Sequence, residues 1–289
     1  MKSFIALLGL LLMTTLTSAQ YYDSVSFASA DWKGKKIDRK AKLYQCHFKN
    51  KNLFKANQHI SYVLVKRGKR HRFRIAGEPQ KLRTVSDFAG ELKPLAAVNG
   101  NFFDVKNGGA VDFTKVQGRV VNVNRKAANG KPDFHQKAAV VIAANGVPEI
   151  KKWDGLVNWE EWLKEPDVML NGPLLIFNRQ DERLDSASFN ITRHPRTCMG
   201  ITQKGHVIML VVDGRNANSQ GMNLFELTKV MRWLGCVSAI NFDGGGSSAL
   251  WVKDQGVVNY PTDNRKWDHE GERKVANVLY VERKNNNRQ

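Results

Sequence analysis

Val207–Leu250 reads VIMLVVDGRNANSQGMNLFELTKVMRWLGCVSAINFDGGGSSAL, two apolar runs separated by an amphipathic segment. The runs Val207 to Val212 and Val237 to Phe242 each end in an Asp-Gly step, at Asp213-Gly214 and Asp243-Gly244, and have the character of buried strands. Between them Leu227, Val230, Met231 and Leu234 recur at helical spacing before Gly235, which predicts a helix from about Asn223 to Leu234. Strand, helix, strand predicts a parallel right-handed crossover. Both strands of such a unit finish on one edge of the sheet, the edge where open α/β sheets hold ligands. Asp213 and Asp243 are therefore expected on one rim, with backbones roughly 5 Å apart if the strands are neighbours and about twice that if one strand lies between them. That spacing suits a carboxylate pair.

The loop Asp243-Gly244-Gly245-Gly246-Ser247-Ser248 follows the second run. Three successive glycines cost backbone entropy and contribute no packing, so they mark a tight turn or a close approach to the backbone. Ala249 to Val252 reads as a strand, so the expected anion receptor is a nest of backbone N–H groups with the Ser247 and Ser248 hydroxyls beside it. No Gly-Lys-Ser/Thr follows, as a P-loop would need, and the glycine after the serine of a G-x-S-x-G elbow is missing. Upstream, Asn223 and Glu226 have capping-box spacing, which gives Glu226 a structural role at the helix start.

Other segments add polar groups. Leu95 to Asp104, LAAVNGNFFD, runs from a short strand into a turn; Asn99, Asn101 and Asp104 could hydrogen-bond hydroxyls at a pocket mouth, and the plain alternative is a hairpin with Phe102 and Phe103 in the core. Arg196 stands just before the apolar segment Cys198 to Ile201, where an arginine either clamps a carboxylate or phosphate or forms a surface salt bridge. Arg273, entering the closing strand, could reach the same rim.

The chain has 289 residues, 42% hydrophobic and 25% charged, enough for a large core. Lys2, the apolar run Phe4 to Met13 and the small residues Thr17 and Ala19 read as a signal peptide over 1–19 cleaved before Gln20. The apolar stretch is too short to span a bilayer, and a secreted or periplasmic protein without a transmembrane segment after cleavage is expected. Cys46, Cys198 and Cys236 allow at most one bridge and match no zinc spacing; buried free thiols are the ordinary reading for the last two. The formal charge is +18, with many cations between Lys33 and Arg83, so an anionic partner is expected, and export disfavours nucleic acid. Residues 20–90 read as basic strands or a small subdomain, 91–283 as the main domain and 284–289 as a frayed tail. The fold class expected is α+β or mixed α/β: a strand-rich mixed sheet with few helices, including one parallel β-α-β unit that carries the site.

NGNFFD near Asn99, RTCMGI at Arg196, VDGR at Asp213, GMNLFEL at Gly221, NFDGGGSSAL at Asn241 and ERKVANVLYV at Glu272 together resemble the phosphodiester glycosidase family over roughly Leu95 to Val281. That family often has a second glycine where this chain has Asn101. The resemblance implies hydrolysis of a sugar-1-phosphodiester at the anomeric carbon, on an anionic phosphodiester-linked glycan or a glycophospholipid. It implies Asp243 and Asp213 as nucleophile or base with Glu226 in reserve, and Arg196, Arg215 and Arg273 holding phosphate beside the backbone of Gly244, Gly245, Gly246 and Ser247. Asn99 and Asp104 would orient sugar hydroxyls. No cofactor is expected. A divalent metal held by the Asp cluster of a phosphodiesterase is one alternative, and a non-catalytic envelope protein binding anionic glycan is the other.

Overall fold

The computed structural model describes residues 22–125 and 132–284; the expected signal peptide and nearly all of the expected tail lie outside them. Strands and helices are numbered in chain order. The largest sheet has eight strands in the order β1 (Lys33–Asp38), β2 (Ala41–Leu53), β3 (Ala56–Val65), β14 (Val207–Val212), β13 (Arg196–Thr202), β15 (Cys236–Asn241), β11 (Leu174–Phe177) and β12 (Gln180–Asp181). A second sheet orders β7 (Arg119–Asn122), β6 (Thr114–Val116), β10 (Asp167–Leu170), β8 (Ala138–Ile142) and β9 (Pro148–Lys152). The third orders β17 (Gly256–Val257), β16 (Leu250–Val252), β5 (Ala96–Asn99), β18 (Asn277–Arg283) and β4 (His71–Gly77). The helices are short: α1 over residues 22–28, α2 (Val85–Leu92), α3 (Ser188–Ile191) and α4 (Leu224–Trp233).

Strand β14 shows why the large sheet is central. Val207, Met209 and Val211 enter the core shared with the other two sheets, whereas Ile208, Leu210 and Val212 enter the core beneath α4. All six are buried, and full burial of such a side chain contributes about 1.5–3 kcal/mol. An all-apolar strand is what a sheet covered on both faces requires.

The expected parallel β-α-β unit is corrected. Strand β13 lies between β14 and β15 and is antiparallel to both, and every strand pairing among the described residues is antiparallel. The cause is local. A tight turn at Thr202–Gly205, with Gly205 at φ +71° and its N–H donating to Thr202 O, folds β13 onto β14 as a hairpin before α4 is reached. That pairing takes one edge of β14 and β3 takes the other. Strands β14 and β15 consequently still run in the same direction, one strand apart, and end on one rim with the start of β13 between them.

The basic front of the chain continues this same sheet through β1, β2 and β3, and β4 pairs along the length of β18. All three cysteines are free and buried.

Candidate functional site

The rim is assembled from three strand ends and one loop. Arg196 at the start of β13 faces Val212, and Cys198 faces Asn241, so Asp213 and Asp243 follow strands that stop on the same rim with the start of β13 between them. The turn after β5 then locks the second loop in place. Asp243 N donates to Gly100 O, and Asn99 Nδ2 donates to Asp243 O at 2.7 Å. Asn99 Oδ1 accepts from Thr197 Oγ1 at 2.7 Å and from Ala249 N at 3.2 Å. Asn99 is thus a buried staple across three segments. Asn101 and Asn277 exchange hydrogen bonds of 2.6 and 3.0 Å and tie the same turn to β18.

The glycine loop forms a single 3-10 turn, Gly245–Ser247, with Gly245 at φ +62°. A Cβ on Gly245 would stand 2.9 Å from Arg215 Nη2, and one on Gly246 would stand 2.7 Å from Arg273 Nη2 and from Asp263 Oδ1. Bare backbone is what lets these guanidinium groups approach. Arg215, Arg273, Thr262, Asp263 and Arg265 line a cleft of about 220 Å³. Arg273 Nε donates to Asp263 Oδ1 at 2.8 Å, whereas Arg215 and Arg265 make no ion pair among the described residues. Thr262 Oγ1 and Asn241 Oδ1 are buried with no hydrogen-bond partner among the described residues. Such orphans carry a cost that functional sites retain.

Asp243 keeps a strip of open surface while protein atoms surround its carboxylate, and burial pushes its pKa up to about 6. The nearby Ser247 hydroxyl, the Gly244 N–H at 2.9 Å and the charge of Arg273 pull the other way, and Asp112 adds to the rise. Asp112 is fully buried, and its oxygens lie 2.7 and 2.8 Å from His135 Nδ1 and 3.0 Å from Gln136 Nε2. Burial raises its pKa, against the pull of His135. His135 stands against Phe102, with ring centroids 4.9 Å apart.

Several expected site residues do other work. Asp213 stands on the same rim, and its carboxylate is occupied: its Oδ1 accepts from Asn259 Nδ2 and Tyr260 N, each at 2.9 Å, and its Oδ2 lies 2.7 Å from His59 Nδ1. The carboxylate that Asp243 feels is Asp112. Glu226 completes the capping box with Asn223 and receives Arg193 Nε at 3.0 Å. Arg196 is fully buried, donating Nε to Met222 O and Nη2 to Phe189 O and Thr192 O. It is neither a surface salt bridge nor an open clamp, and burial lowers its pKa to about 10. Asp104 ties its own loop through Lys106 N, Asn107 N and Arg125, contacts that hold it well below the usual carboxylate range.

Asp112, His135, Asp263 and Arg265 escaped the sequence reading. The available signal was an acid inside the apolar run Ala110 to Phe113; nothing in the sequence brought Asp263 to Arg273. A larger cavity of about 680 Å³ over β2 and α1 includes His59 and Tyr260, whereas the smaller cleft is lined by Arg215 and Arg273, which approach Gly245 and Gly246, so the smaller cleft is the candidate site. No group of three or more His, Cys, Asp or Glu placed to hold a metal ion occurs among the described residues.

The family model described as phosphodiester glycosidase matches residues 93–282, from just before β5 to the end of β18. The chain belongs to the phosphodiester glycosidase family. It is 28% identical over 200 residues to the mouse N-acetylglucosamine-1-phosphodiester alpha-N-acetylglucosaminidase, covering 65% of this chain and 37% of the mouse protein. To the human protein of the same name it is 26% identical over 193 residues, covering 63% and 36%. The chain therefore spans little more than a third of these relatives. The zebrafish catalytic domain of that name, auto-inhibited by its pro-peptide, superposes with a TM-score of 0.63 at 18% identity, covering 87% of each chain. A Synechocystis protein described as hypothetical superposes at 0.64 with 14% identity, covering 88% of this chain and 64% of that one. These structural likenesses show the fold alone.

Proposed function

We propose that this protein hydrolyses the glycosidic bond of a sugar-1-phosphodiester, giving free sugar and a phosphomonoester, and that it does so after export. The observation that carries the reading is the Asp243 carboxylate, raised to about 6, on a glycine loop that Arg215 and Arg273 approach closely. A carboxylate with a pKa near the working pH is suited to act as a general base. In this scheme Asp243 takes a proton from water as the water oxygen bonds to the anomeric carbon. The bond from that carbon to the phosphate oxygen breaks, and its electron pair leaves with the phosphate. The departing charge is met by Arg215, Arg265 and Arg273, so leaving-group protonation matters less than in ordinary glycoside hydrolysis. Asp112, hydrogen-bonded to His135, adds to the rise in the Asp243 pKa, while Asp213, Asn99 and Arg196 position the loops.

The test is to incubate the protein with an N-acetylglucosamine-α-1-phosphodiester, with and without chelator, and to identify products by mass. Free sugar plus phosphomonoester, lost in Asp243→Asn, is the expected result. Sugar-1-phosphate lost on chelation would overturn it in favour of metal-dependent P–O cleavage. Absence of turnover, with anionic glycan still bound after Asp243→Asn, would favour a binding protein.

A further inference from the structure

The cations of the front section have a place in the fold that the cleft does not use. Lys36, Arg39, Lys40, Lys42 and Lys66 line a groove of about 470 Å³ on the α4-side face of β1, β2 and β3. Lys66 follows Val65, which pairs with Val207 at the start of β14, whereas the cleft lies beyond Val212 at its end. Five residue steps separate the two rims, roughly 17 Å along the strand.

Charged edge strands are often only a guard against aggregation, but three features here go beyond that. None of the five cations forms an ion pair among the described residues. The one acid in the groove, Asp38, is occupied elsewhere, by His71 Nε2 at 3.0 Å, Arg39 N at 2.5 Å and Arg283 Nη2 at 3.3 Å. Lys36 and Lys42 stand directly opposite each other on β1 and β2, a pairing that costs stability. The cations are also seated. A Cβ on Gly34 would collide with Lys42 Cε at 2.4 Å and one on Gly68 with Lys40 Nζ at 2.6 Å, and Lys42 Nζ sits 4.6 Å from the centre of the Tyr44 ring, which is itself stacked on Tyr62.

We propose that this groove is an exosite that docks an anionic polysaccharide and holds it while the distant cleft works on the same polymer. Uncompensated ammonium groups along a channel match a linear chain of anions better than a flat bilayer surface. The choice of a sugar polymer rests on the function proposed above; the groove's affinity for it is measured separately.

The experiment compares the full chain with a K36Q/R39Q/K40Q/K42Q/K66Q variant, using a fluorescent heparin oligosaccharide as the anionic probe. The expected result is salt-sensitive binding that weakens about tenfold or more in the variant, the sum of five charge contacts, four of them exposed and that of Lys40 half-buried. Hydrolysis of the small N-acetylglucosamine phosphodiester should be unchanged, with a thermal midpoint in the variant no lower than that of the wild type. Equal probe affinity in the two proteins overturns the proposal, as does tighter binding of duplex DNA or of phosphatidylglycerol vesicles than of the glycan. If neither protein turns over the phosphodiester, the function proposed above fails while the binding comparison still decides the groove.

Discussion

Asp243 and Asp213 follow equivalent strand ends, yet their surroundings give them different chemistry. Asp213 has its carboxylate committed to three partners, Asn259, Tyr260 and His59. Asp243 accepts from the Gly244 N–H, lies near the Ser247 hydroxyl and has a pKa of about 6. Because that folded value lies above the ordinary 3.8, the native state binds the proton more tightly than the unfolded chain, and stability falls as pH rises between the two values. Asp243→Asn should therefore abolish turnover while stabilising the fold above pH ~6 by roughly 1–3 kcal/mol, with no gain below pH ~4; urea unfolding across pH measures it, and a variant less stable at neutral pH would contradict it. In the wild type, kcat/KM should climb as pH rises through about 6. Asp213→Asn should behave differently. It leaves buried groups mismatched, costs about 1–3 kcal/mol, and lowers turnover without moving the acid limb of the pH profile.

At the scale of elements, the glycine loop and the loop over residues 259–271 meet as two halves of the cleft. Asp213 holds the base of the second through Asn259 and Tyr260, and Asp263 further along it bonds Arg273. Gly245→Ala should strain the left-handed turn by about 1–2 kcal/mol and displace Arg215, whose Nη2 would lie 2.9 Å from the new methyl carbon. The expected outcome is a several-fold rise in KM for the phosphodiester with a smaller change in kcat. An unchanged KM would remove Arg215 from the phosphate-binding set. Helix α4 shows how far local pattern reaches. Its cap at Asn223, its Glu226 box and its buried stripe of Leu227, Val230 and Met231 were all legible in the sequence, because each depends on residues within a turn or two. The pairing of the flanking strands depended instead on a hairpin made earlier in the chain.

On the scale of the whole molecule, the family match begins at residue 93, but the fold does not. Strand β3 covers one edge of β14, and β4 covers one edge of β18. A fragment of residues 91–283 should leave both edges open and the shared core uncovered, and so aggregate or stay unfolded; size-exclusion chromatography and circular dichroism decide this, and a monomeric folded fragment would refute it. The same arrangement separates the two charged surfaces, with the cleft at one rim of the large sheet and the groove at the other. Among the described residues no helix is long and apolar enough to cross a membrane.

By itself the sequence determined the strand-rich character, the central pair of buried strands with its helix, the capping of that helix and the glycine loop as the place to look. These follow from periodicity, glycine's backbone freedom and side-chain chemistry at short range. Only the tertiary structure decided that β13 separates the two strands, that Asp213, Glu226 and Arg196 have the hydrogen-bond partners they do, and that the charge of Asp112 bears on Asp243. The basic front became the edge strand β1, which is largely exposed, and the 13-residue β2 beside it. Which carboxylate has its pKa raised by burial depends on partners drawn from distant parts of the chain, and sequence spacing carries no record of them.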